Sequence, residues 1–408
     1  NPDAYVYPRQ YWLLLSGVFI NRMSASMLWP FLTVYMYQTL NVPLTTIALL
    51  LSMRALFSII SSGVFGSVMD RFGRKNAMIF GMFATAGVFF GMANAETLPV
   101  WVVLLALHGF VLPVFNIGVD TMVADIVPSE QRAPAYAMTR VSKNLGFAIG
   151  PVLGGWLALV AFELIFYSVS LVNVVLAVLV AIIILETRPD DDTQDAKPKR
   201  GRVSIFSGGY AEIVKDRQFV IFCGLYLLTL MAYVNIFSLL PVYTAENFGL
   251  AENQYGLLVT ANAAMVVLFQ YAVTKITSRF QPYRVIAIGS LFYAVGLFSL
   301  GFGSALPHFI LGVLIATIGE LMNNPTAAKL TADLAPTHMR ARYMSIFNLG
   351  YPVASGLGPV IGGFLNDSIA PVAIWYGAGV LALLGGIGFA WLAASMRRRA
   401  TRVAAIGD

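Results

Sequence analysis

The chain has 408 residues, of which 58% are hydrophobic and 11% charged, with a formal net charge of +6. Soluble domains carry about 25% charged residues, so an ordinary globular core does not account for this composition. The single cysteine, Cys223, excludes an internal disulfide framework and is silent on redox compartment.

Uncharged runs dominate. Residues 76–93, 164–185 and 372–396 are each long enough to cross a bilayer core as a helix. In chain order, the apolar runs predict twelve spans, near 11–37, 44–67, 76–94, 99–125, 133–160 and 163–186, then 218–244, 254–277, 283–303, 307–333, 341–366 and 371–396. A polar segment with Arg9 precedes the first run and no small-residue cleavage site follows it, so that run is expected to be retained. Residues 187–217 form the long polar stretch and read as a linker with a short amphipathic helix in its second part. The expected organisation is a six-helix bundle over 1–186, a cytoplasmic linker over 187–217, and a second six-helix bundle over 218–408 ending in a basic tail.

Basic residues set the orientation. Turns after even-numbered spans hold Arg71, Arg74 and Lys75, then Arg132, Arg188 through Arg217, Arg279 and Arg340, and the tail adds Arg397, Arg398, Arg399 and Arg402. Turns after odd-numbered spans hold no Lys or Arg. Both termini are therefore expected in the cytoplasm. Topology explains the basic excess without a nucleic-acid partner.

The two halves align at a constant shift of 208. NLGFAIGPVLGGWL at 144–157 and PVASGLGPVIGGFL at 352–365 fall together, as do Arg71-Phe72 with Arg279-Phe280, and Asn116 with Asn324. Ala124-Asp125-x-x-Pro128 likewise meets Ala332-Asp333-x-x-Pro336. Such agreement marks a parallel internal repeat about an axis along the membrane normal. Gly146, Gly150 and Gly154 fall four apart, as do Gly358 and Gly362, giving flat helix faces for close packing. Pro151 and Pro359 bend those helices. The spacing suggests that the fifth and eleventh spans pack at the interface between halves, and there seal a cavity on one side.

Ionisable groups at membrane depth are costly and are candidate functional residues. They are Arg22 in the first span, Arg54 in the second, Asp120 in the fourth, Arg140 and Lys143 in the fifth, and Glu320 and Lys329 in the tenth. Glu320 stands beside Asn323, Asn324 and Pro325 and is the first candidate for coupling a proton or recognising a cation; the plainer alternative is a neutral packing acid. Asp120 is the second, either carrying a proton or compensating Arg140 or Arg22. Arg22, Arg54 and Arg140 could meet an anionic group on a substrate. Asn116, Tyr233, Asn235, Asn262, Asn323 and Asn324 complete the candidate substrate cavity. Lys143 and Lys329 could instead snorkel toward the cytoplasmic side.

Gly66-Ser-Val-Met-Asp70-Arg71-Phe-Gly73-Arg74-Lys75 closely resembles the G-x-x-x-D-R-x-G-R-K signature of the major facilitator superfamily, and the twelve spans, the linker and the half-repeat resemble its fold over essentially the whole chain. The Gly146 to Gly155 run is similar to the fifth-span signature of the drug/proton antiporter branch. Gly319-Glu320 to Leu334 resembles LmrP-type multidrug transporters, and Arg54 resembles MdtH-type ones. The resemblance implies a conformational latch: Gly66, Asp70, Arg71, Gly73 and Arg74, with Asp70 at the start of the eleventh helix and Arg74 paired to Asp125. It also implies that spans three, six, nine and twelve face lipid. In the second half Ser278 replaces the acid and Gln281 the glycine, so the latch is expected to be stronger in the first. The fourth-span arginine common in the drug/proton branch is absent; that position is Leu105, and His108 is the titratable group nearby.

No nucleotide-binding loop, metal-ligand cluster or nucleophile–base constellation is present in the sequence, so no enzyme activity, cofactor or metal is expected. The leading expectation is a proton-coupled exporter of small amphipathic compounds, a monomer in the bacterial inner membrane whose partners are a small-molecule substrate, protons and membrane lipids. The alternatives are a transporter of an anionic solute or lipid-like anion, and a non-transporting sensor of the same fold.

Overall fold

The structure is a computed structural model that describes residues 5–128, 131–187, 210–336 and 339–407. Most of the expected linker lies outside the described residues. Fifteen helices account for the described secondary structure. They are α1 (Arg9–Leu28), α2 (Leu32–Leu40), α3 (Leu44–Phe72), α4 (Arg74–Ala93), α5 (Leu98–Ile126), α6 (Arg132–Ala158) and α7 (Phe162–Ile183). Then come α8 (Tyr210–Lys215), α9 (Arg217–Ser238), α10 (Leu240–Phe248), α11 (Glu252–Thr277), α12 (Pro282–Leu300), α13 (Leu306–Leu334), α14 (Arg340–Ser368) and α15 (Ala373–Gly407). By packing they form two units, one of residues 1–193 with 241–263, the other of 194–240 with 264–408.

The expected first and seventh spans are each two helices, not one. α1 stops before Trp29 and α2 starts at Leu32; α9 stops at Ser238 and α10 starts at Leu240. Pro30 and Pro241 lack the N–H that an unbroken helix needs at those points. The short helices Leu32–Leu40 and Leu240–Phe248 fall at the 208-residue shift, so the break itself is repeated.

Nine helices among the described residues are apolar and long enough to cross a membrane. α1, α6 and α14, which cover the expected first, fifth and eleventh spans, are not among those nine. Their stretches carry Arg22, or Arg140 with Lys143, or runs of glycine and polar residues, which lower hydropathy without shortening the helix.

In the first unit α1 packs on α6, α3 on α5 and α4 on α7. A Cβ at Gly150 would strike Ser26 Oγ and the Met23 carbonyl, and one at Gly154 the Met27 carbonyl. In the second unit, a Cβ at Gly358 would meet the Met231 carbonyl on α9, and one at Gly362 the Leu239 side chain and Asn235 Oδ1 at 2.9 Å. These glycine faces meet α1 and α9 inside their own units, and Pro151 of the same run meets Gly256 of α11, where a Cβ would lie 2.9 Å from its carbonyl. In lipid, apolar contact alone does not draw helices together, so close backbone approach carries the packing. Apolar clusters fill the rest: Tyr11, Leu14 and Val18 with Met122, Val123 and Leu176 in the first unit, and Phe219, Phe222 and Tyr283 with Phe389 in the second.

Pro325 illustrates how an interrupted ladder is repaired. Lacking an N–H, it leaves the Leu321 carbonyl without its helical donor. Gln270 on α11 donates its Nε2 to that carbonyl at 3.1 Å.

Candidate functional site

In the second unit, α13 carries the half-buried Glu320. The Tyr233 hydroxyl from α9 donates to Glu320 Oε2 at 2.5 Å. The Tyr233 ring leans on Tyr293 of α12, centroids 4.9 Å apart, and meets the edge of Phe237 at 5.4 Å. One turn along α13, Asn324 Oδ1 accepts from the Tyr226 hydroxyl at 3.0 Å. Gly319, just before the acid, admits the Tyr293 ring: a Cβ there would lie 3.1 Å from it and strike the Gly289 carbonyl. Three tyrosines therefore gather around one carboxyl, whose hydrogen bond offsets part of the cost of its depth. A carboxyl lined by aromatic rings can hold one proton or receive one organic cation.

The neighbouring amides are used differently. Asn323 is fully buried, with Nδ2 3.4 Å from Ser290 Oγ on α12. Asn235 is buried and returns its Nδ2 to the Met231 carbonyl of its own helix at 2.8 Å. Asn262, also buried, belongs by packing to the first unit. Sequence reading selected Tyr233 and Asn324 but missed Tyr293. The one signal for it was the glycine pair Gly289 and Gly319 on neighbouring helices.

In the first unit the charges are dispersed. Arg54, 9% exposed, holds its guanidinium 4.0 Å over the Trp29 ring. The ring of buried His108 lies tilted against Phe89, centroids 4.9 Å apart. The close approach of α3 to α5 depends on Gly109, where a Cβ would strike the Arg54 carbonyl. Arg22 holds its guanidinium 5.1 Å over Phe147. Arg140 is exposed and Asn116 half-buried. Asp120 pairs with Lys143 at 3.7 Å, not with the expected Arg140 or Arg22. The Asp120 carbonyl also accepts the Tyr136 hydroxyl at 2.9 Å.

A third cluster lies where α3 gives way to α4. Gly73, at φ +90°, makes the turn. Buried Arg74 brings Nε to 3.3 Å from Asp125 Oδ2, which also accepts the Thr187 hydroxyl at 2.9 Å. Glu186, just past α7, accepts the backbone N–H groups of Arg74 at 3.0 Å and Lys75 at 3.1 Å. A carboxylate at a helix N-terminus satisfies orphan donors and complements the helix dipole. A Cβ at Gly73 would strike that carboxylate, so glycine serves there both the turn and the approach. Arg71 is exposed, its guanidinium 5.4 Å over Phe72. The side-chain positions of Gly66 and Asp70 lie outside the described residues. Sequence reading missed Glu186, which no local pattern ties to a helix start 112 residues earlier.

Among the described residues no three His, Cys, Asp or Glu side chains gather to hold a metal ion.

Comparison with known proteins supplies the family. The family model described as Major Facilitator Superfamily matches residues 14–251 and 222–407. The chain is 25% identical to a Na(+), Li(+), K(+)/H(+) antiporter of Planococcus maritimus, over 93% of this chain and 94% of that protein. It is 24% identical to the multidrug resistance protein MdtH of Yersinia enterocolitica, over 94% of each. The crystal structure of the nucleoside transporter NupG superposes with a TM-score of 0.77 at 14% identity, covering 94% of this chain and 99% of that one. At that identity the likeness speaks for the fold alone.

Proposed function

This chain belongs to the Major Facilitator Superfamily, and on that footing we propose that it is a proton-coupled exporter of small amphipathic compounds. It is a multi-pass membrane transporter with an all-helical fold and no enzyme chemistry. The proposal adds twelve spans in two bundles, 1–186 and 218–408, with both termini in the cytoplasm of a bacterial inner membrane. It also adds a monomer that works by alternating access without a cofactor. Glu320, with Asp120 second, carries the proton; Arg74 and Asp125, with Asp70 and Gly73, bias the conformational equilibrium.

One observation carries this reading: the Tyr233 hydroxyl bond to Glu320, which keeps a titratable carboxyl ordered among aromatic rings at membrane depth. The names of two relatives, a multidrug resistance protein and a cation/proton antiporter, support the same class. A thermal-shift screen of wild type and Glu320→Gln at two pH values tests it. Cationic amphipathic ligands stabilise the wild type in a pH-dependent way, and the variant loses that dependence. An unchanged pH response in Glu320→Gln removes the acid from the mechanism.

Arg54 favours a second reading, transport of an anionic solute, because a guanidinium stacked on Trp29 can receive an anionic aromatic group. Competition between anionic and cationic solutes in proteoliposomes separates the two, and uptake restricted to anions sinks the multidrug reading.

A further inference from the structure

The second copy of the Asp-Arg signature has lost its acid, and the structure gives its surroundings another use. Shifted by 208, Gly66 becomes Thr274, Asp70 becomes Ser278, and Thr121 on the facing helix becomes Lys329. An acid in the first half is thus replaced by a hydroxyl and a cation in the second. These residues line a small half-open pocket, walled by Thr274, Thr277 and Ser278 at the end of α11 and by Pro325, Thr326 and Lys329 on α13.

The electrostatics of this pocket are one-sided. Thr326 and Lys329 have no hydrogen-bond or ion-pair partner among the described residues. The chain has no Asp or Glu between Glu252 and Glu320, a stretch covering nearly all of α11 and all of α12. Asp333, one turn beyond Lys329, makes no ion pair with it among the described residues. Lys275 and Arg279, both exposed, adjoin Thr274 and Ser278 in the chain.

The hydroxyls are arranged to donate. Gln270 Nε2 donates to Thr274 Oγ1 at 2.9 Å, which leaves the Thr274 proton available, and the same amide braces the Leu321 carbonyl freed by Pro325. Thr277 and Ser278 return their hydroxyls to carbonyls of their own last turn, at 3.3 and 3.0 Å, bonds that an incoming acceptor can replace. A compact ammonium with several hydroxyl donors suits a tetrahedral oxyanion. The pocket is small and open on one side, and so suits a headgroup-sized anion rather than a drug-sized compound.

We propose that this pocket binds a phosphate-bearing anion, held by Lys329 with the hydroxyls of Thr274, Ser278 and Thr326. On the side that carries the basic turns, that chemistry is offered both by anionic phospholipid headgroups and by soluble phosphate. The site is separate from Glu320, and its fate does not depend on the coupling reading.

Native mass spectrometry of the full chain released from nanodiscs of phosphatidylglycerol and phosphatidylcholine tests the lipid source. A thermal-shift titration with inorganic phosphate against chloride, at matched ionic strength in lipid-free micelles, tests the soluble one. Wild type and Lys329→Arg bind; Lys329→Gln loses roughly fivefold or more in occupancy; Ser278→Asp, which restores the acid of the first half, loses binding as well. Retention of phosphatidylglycerol without a phosphate shift assigns the headgroup, and a phosphate shift without lipid retention assigns a soluble phosphate. Equal binding by wild type, Lys329→Gln and Ser278→Asp, or none by any, overturns the proposal.

Discussion

Tyr233 and Glu320 form the contact on which the coupling reading turns, and a double-mutant cycle measures it. Hydrogen bonds to charged groups contribute about 1.5–3 kcal/mol in soluble proteins, but polar pairs inside membranes average about 0.6 kcal/mol because alternative partners are found there. A coupling near ~1 kcal/mol is therefore expected between Tyr233→Phe and Glu320→Gln in thermal unfolding; strictly additive effects deny the bond. A second single-residue prediction contrasts two glycines. Gly154→Leu forces a side chain into the Met27 carbonyl and reduces the yield of folded protein, while Gly224→Ala, with nothing within 4 Å, is neutral or stabilising by about 0.5–1 kcal/mol. Fluorescence-detected size exclusion of both variants reads the difference. Tyr233 was among the residues selected for the cavity, but Tyr293 was not singled out by any sequence pattern. Glu320 was, because an acid in an apolar run is conspicuous by itself.

At the scale of elements, the start of α4 is a constrained junction in the first unit. Two backbone donors end on Glu186, the Arg74 side chain ends on Asp125, and Gly73 turns the chain between helices. Glu186→Gln weakens this cap, and by analogy with lost helix caps it costs about 0.5–2 kcal/mol. Gly73→Ala adds left-handed strain of about 1–3 kcal/mol and a clash with the same carboxylate. Both variants are expected to lower the thermal midpoint, and the double variant to lose less than the sum, because the Cβ displaces the same side-chain contacts that Glu186→Gln has already weakened. Fully additive losses argue against the shared contact. The Arg74 and Asp125 pair was implied by the family resemblance of the signature at 66–75. Glu186 was not, since its partners are backbone atoms and carry no residue identity.

At the scale of the molecule, cysteine labelling reads the topology. With Cys223→Ser as background, cysteines at Asn41 and Glu96 label from outside intact cells, and cysteines at Asn76 and Arg279 only after permeabilisation. Outside labelling at Asn76 contradicts the assigned orientation and the twelve-span proposal with it. The sequence by itself determined the class of molecule: apolar runs of bilayer length, basic residues confined to alternate turns, and a repeat at a shift of 208 are linear properties that need no coordinates. It did not determine that the first and seventh spans break at matching points, although Pro30 and Pro241 were in view, because a proline can bend a helix as readily as end it. It did not say that the glycine stripes meet α1 and α9, for a similar reason: small residues declare that a helix will be approached, not by which neighbour. Contacts between helices depend on crossing geometry, and only the tertiary structure decides that α6 lies on α1, that Tyr293 leans on the tyrosine bonded to Glu320, and that Lys329 faces hydroxyls instead of an acid.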